Sequence, residues 1–134
     1  MAFEIGERER EGVKVLDVEG KLVLGGAASD MREKLRALQA AGVRQVVLNL
    51  AGCEYIDSSG LGALVMAATS MQRAGGALKL LNLNKRNLEL MVVTKLTTVF
   101  EMFNDEMDAV NSFFPDRKIQ RFDILEFVRQ QEKE

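Results

Sequence analysis

Residues 43–50 and 78–83 are short, almost unbroken apolar runs that bracket a stretch of helical spacing. Val43, Val46, Val47, Leu48 and Leu50 make up the first run; Leu78, Leu80, Leu81 and Leu83 dominate the second. A strand without polar alternation has to be covered on both faces, the condition of a central strand flanked by helices. Between the runs, Leu61, Leu64, Val65, Ala68 and Met71 recur at helical intervals and Gly75-Gly76 closes the pattern, so a helix is expected over 58–73. Strand, helix and strand then form one crossover of a parallel sheet.

The rest of the chain extends this pattern. Residues 3–9 and 13–18 read as two strands joined by a turn at Glu11-Gly12. After the break at Gly25-Gly26, Ser29 or Asp30 is a candidate cap for an amphipathic helix carrying Met31, Leu35 and Leu38 and ending near Gly42. A helix over 87–93, a short edge strand within 97–102 and a helix over 105–114 follow. The sole proline, Pro115, marks a boundary, beyond which Ile119, Phe122, Leu125 and Val128 repeat every three residues among charges. The expected architecture is an α/β domain over 1–115 with a central, mostly parallel sheet of four or five strands. Helices lie largely on one face, and a C-terminal amphipathic helical extension covers 116–134. Its apolar stripe suits packing on its own domain or, alternatively, a homodimer or partner contact.

Composition narrows the chemistry. The net charge of −2 gives no electrostatic case for nucleic acid or an anionic membrane surface. No apolar run approaches the roughly 20 residues that span a bilayer, and residues 1–10 are charged without an apolar signal core, so a cytoplasmic protein is expected. The chain has no histidine, which removes the usual general base and the commonest metal ligand. Its one cysteine, Cys53, cannot form an internal disulfide and reads as a small filler in a loop before Asp57. No cluster has metal-ligand spacing, and no cofactor is implied. Lys85-Arg86, after Asn84, read as a solvated loop, with an anion site as the alternative.

The candidate site is Asp57-Ser58-Ser59-Gly60-Leu61-Gly62, where the first apolar run gives way to the helix. Asp, Ser and Gly are favoured at helix starts because they satisfy free backbone N–H groups. Capping is one reading of the segment; the other is a functional surface, suggested by two glycines in the first turns, each costing ~1 kcal/mol relative to alanine, since small residues there suit close approach by a partner. A hydrolase nucleophile is excluded at Ser58, since the surrounding residues are not Gly-x-Ser-x-Gly and no histidine exists. A receiver domain lacks its acidic pair here, at Val18-Glu19-Gly20-Lys21, and Gly60-x-Gly62 is not a nucleotide fingerprint. A phosphate on Ser58 has a clearer physical consequence. The helix end favours it by ~0.3–1 kcal/mol, and Asp57 opposes it by about 1.4 kcal/mol at ~6 Å in water. The free domain tolerates that near-cancellation, whereas burying an unpaired dianion in an interface costs several kcal/mol.

These residues resemble the STAS family, in particular the free-standing bacterial anti-sigma factor antagonists. The resemblance runs from about Phe3 to Phe114. It is strongest from Val46-Val47-Leu48-Asn49-Leu50 through Asp57-Ser58-Ser59-Gly60-Leu61-Gly62, and it continues through Gly75-Gly76-Ala77-Leu78 and Leu96-Thr97-Thr98-Val99-Phe100. It implies a STAS-type fold and a non-enzymatic regulator of sigma-factor-dependent transcription working by partner switching. An anti-sigma factor with serine kinase activity would phosphorylate Ser58 and a phosphatase would reverse it. Asp57, Ser58, Ser59, Gly60 and Gly62 would form the partner-binding surface. Val23 stands where many relatives carry an aspartate, a position the family places near the phosphorylated serine. The alternative within the family is a constitutive scaffold or accessory subunit of a stress-signalling or transport complex.

Overall fold

A computed structural model of the chain describes residues 2–119. Strand β1 (Glu4–Arg10) turns into β2 (Val13–Leu22) through Glu11 and Gly12, both at positive φ, the backbone that matches a tight hairpin to strand twist. Then come α1 (Gly26–Ala40), β3 (Gln45–Ile56), α2 (Ser58–Arg73), β4 (Ala77–Leu81), α3 (Lys85–Val93), a short helical turn at Leu96–Thr98, β5 (Met102–Phe103) and α4 (Glu106–Asn111). The sheet order is β1-β2-β3-β4-β5; β1 and β2 are antiparallel and the other pairs parallel.

Because strand order never reverses, each right-handed crossover deposits its helix on the same side. Met31, Leu35 and Leu38 of α1, Leu61, Leu64 and Met71 of α2, and Leu88 and Met91 of α3 therefore share one core with Leu16, Leu48 and Leu80 of the sheet. Among the described residues the other face is covered by α4 and the residues just after it: Ala109 and Val110 share a core with Val13, Val15, Val47, Leu81 and Phe103, and Phe113 and Phe114 pack against it. Lys79 is buried on that face, donating to Ser112 and pairing with Glu101 beneath the Phe113 ring. The expected mixed sheet with helices mainly on one face is what forms.

Several boundaries move. Strand β3 continues past residue 50 to Ile56, so Cys53 lies within a strand and is buried, not in a loop. Burial pushes its thiol above the ordinary value. The folded chain is expected to resist thiol alkylation near neutral pH and to react fully once denatured. Helix α1 starts at Gly26 behind Gly25, without a side-chain cap, so neither Ser29 nor Asp30 caps it. The edge strand narrows to Met102–Phe103, and α4 ends before the expected residue 114. Asn84 caps α3 by accepting from the Asn87 N–H, so Lys85 and Arg86 open a helix instead of lying in a loop. The expected 116–134 helix lies almost wholly outside the described residues.

A polar ladder fastens α4 to the hairpin. Arg8 donates to Asp17 and Glu106, Arg10 donates to Glu106, and Asn49 donates to Asp17 at 2.8 Å. The Arg8 guanidinium, followed by Arg10, holds Glu106 down to about 2 from its ordinary 4.5. A depressed carboxylate stabilises the fold above its unfolded value and loses that contribution as pH falls towards the folded one. Discounted for screening of the half-exposed arginines, Glu106→Gln is expected to cost about 1–2 kcal/mol at neutral pH. The gap should shrink from about pH 5 downwards and close only as pH falls through about 2 in denaturant titrations; a gap that does not change with pH would remove the ladder from the account.

Candidate functional site

Asp57 closes β3 and caps α2. With extended backbone, its Oδ1 accepts from the Gly60 N–H at 2.8 Å and its Oδ2 from the Leu24 N–H at 2.9 Å. Its own N–H donates to the Leu22 carbonyl at 3.2 Å. One carboxylate thus joins the start of α2 to the loop after β2, and these N–H groups, Gly60 first, hold the carboxyl below the usual carboxylate range. Asp57 is therefore a fixed negative charge.

This cap leaves Ser58 exposed at the first position of α2, while Ser59 is half-buried. The two glycines differ. A Cβ on Gly60 would stand 2.2 Å from the Leu22 carbonyl oxygen, so this glycine lets α2 press against the end of β2 and is itself buried. Gly62 is exposed with nothing within 4 Å of such a Cβ. Of the five residues assigned to a binding surface, Ser58 and Gly62 are open, Asp57 and Ser59 are partly covered, and Gly60 is buried beneath them. Val23 lies between Leu22 and Leu24, the two residues whose backbone bonds to Asp57.

Two surfaces flank Ser58. On one side a groove of about 380 Å³ runs between the β3–α2 junction and α3, with Ile56, Leu61, Leu90 and Val93 as its apolar lining. Arg86 stands at this groove with its guanidinium 4.3 Å from the centre of the Tyr55 ring. Asn87 donates to the Cys53 carbonyl at 3.1 Å. On the other side Leu24 is 77% exposed and Met66 66% exposed. Ser58, Gly62 and Met66 follow one another at four-residue intervals along the same strip of α2. Sequence reasoning passed over Leu24, Tyr55, Met66 and Val93 as site residues, and it read Arg86 as part of a solvated loop in preference to an anion site. Only Met66 carried a readable signal, as an apolar residue off the helix's apolar stripe.

No group of three or more His, Cys, Asp or Glu among the described residues could hold a metal. No described helix is long and apolar enough to cross a membrane. The residues suit recognition: a fixed carboxylate, an exposed hydroxyl and two partly apolar surfaces around it.

The sequence profile described as the STAS domain matches residues 5–109. The chain belongs to the STAS domain family. Among curated relatives, the STAS chain is 28% identical over 102 residues to the anti-sigma-B factor antagonist of Bacillus subtilis, covering 76% of this chain and 92% of that one. Solved structures share the fold. An anti-sigma factor antagonist from Mycobacterium paratuberculosis superposes with a TM-score of 0.75 at 19% identity, covering 83% of this chain and 93% of that one. SpoIIAA in its unphosphorylated form gives 0.63 at 20% identity, with 85% and 99% covered. The phosphorylated form of SpoIIAA, a Bacillus cell fate determinant, gives 0.65 at 20% identity, with 84% and 99% covered.

Proposed function

We propose that this STAS domain is an anti-sigma factor antagonist that binds an anti-sigma factor serine kinase through the Ser58 face and is switched off by phosphorylation of Ser58. The carrying observation is the exposed Ser58 hydroxyl beside an Asp57 carboxylate held by two backbone N–H groups. That arrangement presents the oxygen to a partner's active site without exposing a catalytic apparatus of its own. The kinase forms the new P–O bond to Ser58 Oγ from the γ-phosphoryl of ATP, and ADP leaves with the bridging oxygen. A phosphatase restores the hydroxyl by hydrolysis. The name of the Bacillus subtilis relative supports the same reading. The role needs no cofactor, no nucleic acid and no membrane, and it places the protein in the cytoplasm. Residues 1–115 would carry the switch and 116–134 would be a separate extension.

The test is phosphotransfer. Incubating the full chain with ATP and each anti-sigma kinase of its own organism is expected to add one phosphate, mapped to Ser58 by mass spectrometry and absent from Ser58→Ala. Phosphate on another residue, or none with any of these kinases, overturns the reading.

A further inference from the structure

We propose that Arg86 is an internal reader of the phosphate on Ser58, leaving the Tyr55 ring to pair with the dianion. The inference rests on the Ser58 switch and adds the residue that accommodates it. Arg86 is exposed at the start of α3, and among the described residues it is in no ion pair; its contact is the Tyr55 ring at 4.3 Å. Tyr55 is the next-to-last residue of β3, three residues before Ser58, and Tyr55, Ser58 and Arg86 line the same groove. The guanidinium is therefore parked beside the place where two negative charges would appear, on a long stem that can swing.

The charges facing it decide the direction of movement. Asp57 cannot retreat from a phosphate, because the Gly60 and Leu24 N–H groups pin both its oxygens. Glu89 also lines the groove, and Glu54 is exposed next to Tyr55. All three oppose a dianion, and Arg86 is the cation among the groove's lining residues. An exposed cation–π contact is weak, whereas a guanidinium forks two charge-assisted hydrogen bonds onto phosphate. The exchange uncovers the Tyr55 ring and reshapes the groove mouth, so phosphorylation changes the shape of the surface as well as its charge.

The test uses the full chain with phosphoserine installed at position 58 during translation, so no kinase is involved. Phosphorus NMR titration then reads the second pKa of the phosphate, near ~6 for free phosphoserine. The wild type is expected to lie about half a unit below Arg86→Gln, with Arg86→Lys between them because a point charge lacks the fork. Tyr55 is the only tyrosine and the chain has no tryptophan, so intrinsic emission reports this ring alone. Installing the phosphate should change emission in the wild type and leave Arg86→Gln unchanged. Equal phosphate pKa values in the wild type and the glutamine variant overturn the proposal, whatever the emission does. Failure of every kinase to modify Ser58 would instead remove the switch, and this measurement would still report on Arg86.

Discussion

Gly60→Ala is expected to lower the melting temperature by about 10 °C or more, while Gly62→Ala, two residues on, should raise it slightly. The first result follows from the 2.2 Å approach of an alanine Cβ to the Leu22 carbonyl oxygen and its 2.8 Å approach to Leu22 Cγ. Leu22 cannot yield. Its side chain is fully buried in the main core and its carbonyl already accepts from the Asp57 N–H. Overpacking of this kind typically costs 1–3 kcal/mol, and a backbone obstacle places the cost at about 3 kcal/mol. Gly62 meets nothing, so alanine there brings only helix propensity, about 0.5–1 kcal/mol in favour of the fold. Thermal melts of the two variants check both signs. A Gly60→Ala melt within a degree or two of the wild type would mean that α2 does not sit where the Asp57 cap requires.

The contrast between these glycines shows how far the sequence could be read. Both looked alike in the motif. What distinguishes them is Leu22, brought over by the β2–β3 pairing. Helix α2 was legible from residue 58 to residue 73 because its cap, apolar spacing and closing glycines are all local. Strand β3 was read too short because Ala51-Gly52 interrupts the apolar run. Gly52 is kept by packing on Val18 and Glu19, a cause on another strand. The Glu106 pairing spans 98 residues to Arg8, and the stacking of Arg86 on Tyr55 depends on how α3 docks. Neither leaves a mark on nearby sequence. The hydroxyl-bearing tip was legible because helix capping and exposure are properties of a few consecutive residues; its surroundings were not, because tertiary contacts supply them.

The Ser58→Glu variant is expected to fold as the wild type does and to bind its kinase at least 10³-fold more weakly. Folding is spared because Ser58 is exposed and a carboxylate in the first turn of α2 gains ~0.3–1 kcal/mol from the helix end. Repulsion from Asp57 removes about 0.7 kcal/mol at ~6 Å in water. Binding is not spared, because a partner surface fitted to a neutral serine strips water from the new charge and offers it no counter-ion of its own, at several kcal/mol. Asp57 sharpens the penalty, since its carboxylate is held in place and charged beside the new one. Ser58→Ala removes only a hydroxyl and should bind within a few-fold of the wild type while accepting no phosphate. Calorimetry of the three proteins against the kinase, with melts as a folding control, separates the readings. Equal affinity of Ser58→Glu and wild type would leave the groove and the Leu24–Met66 side as a constitutive docking surface, in which case the hydroxyl is only a capping-segment residue.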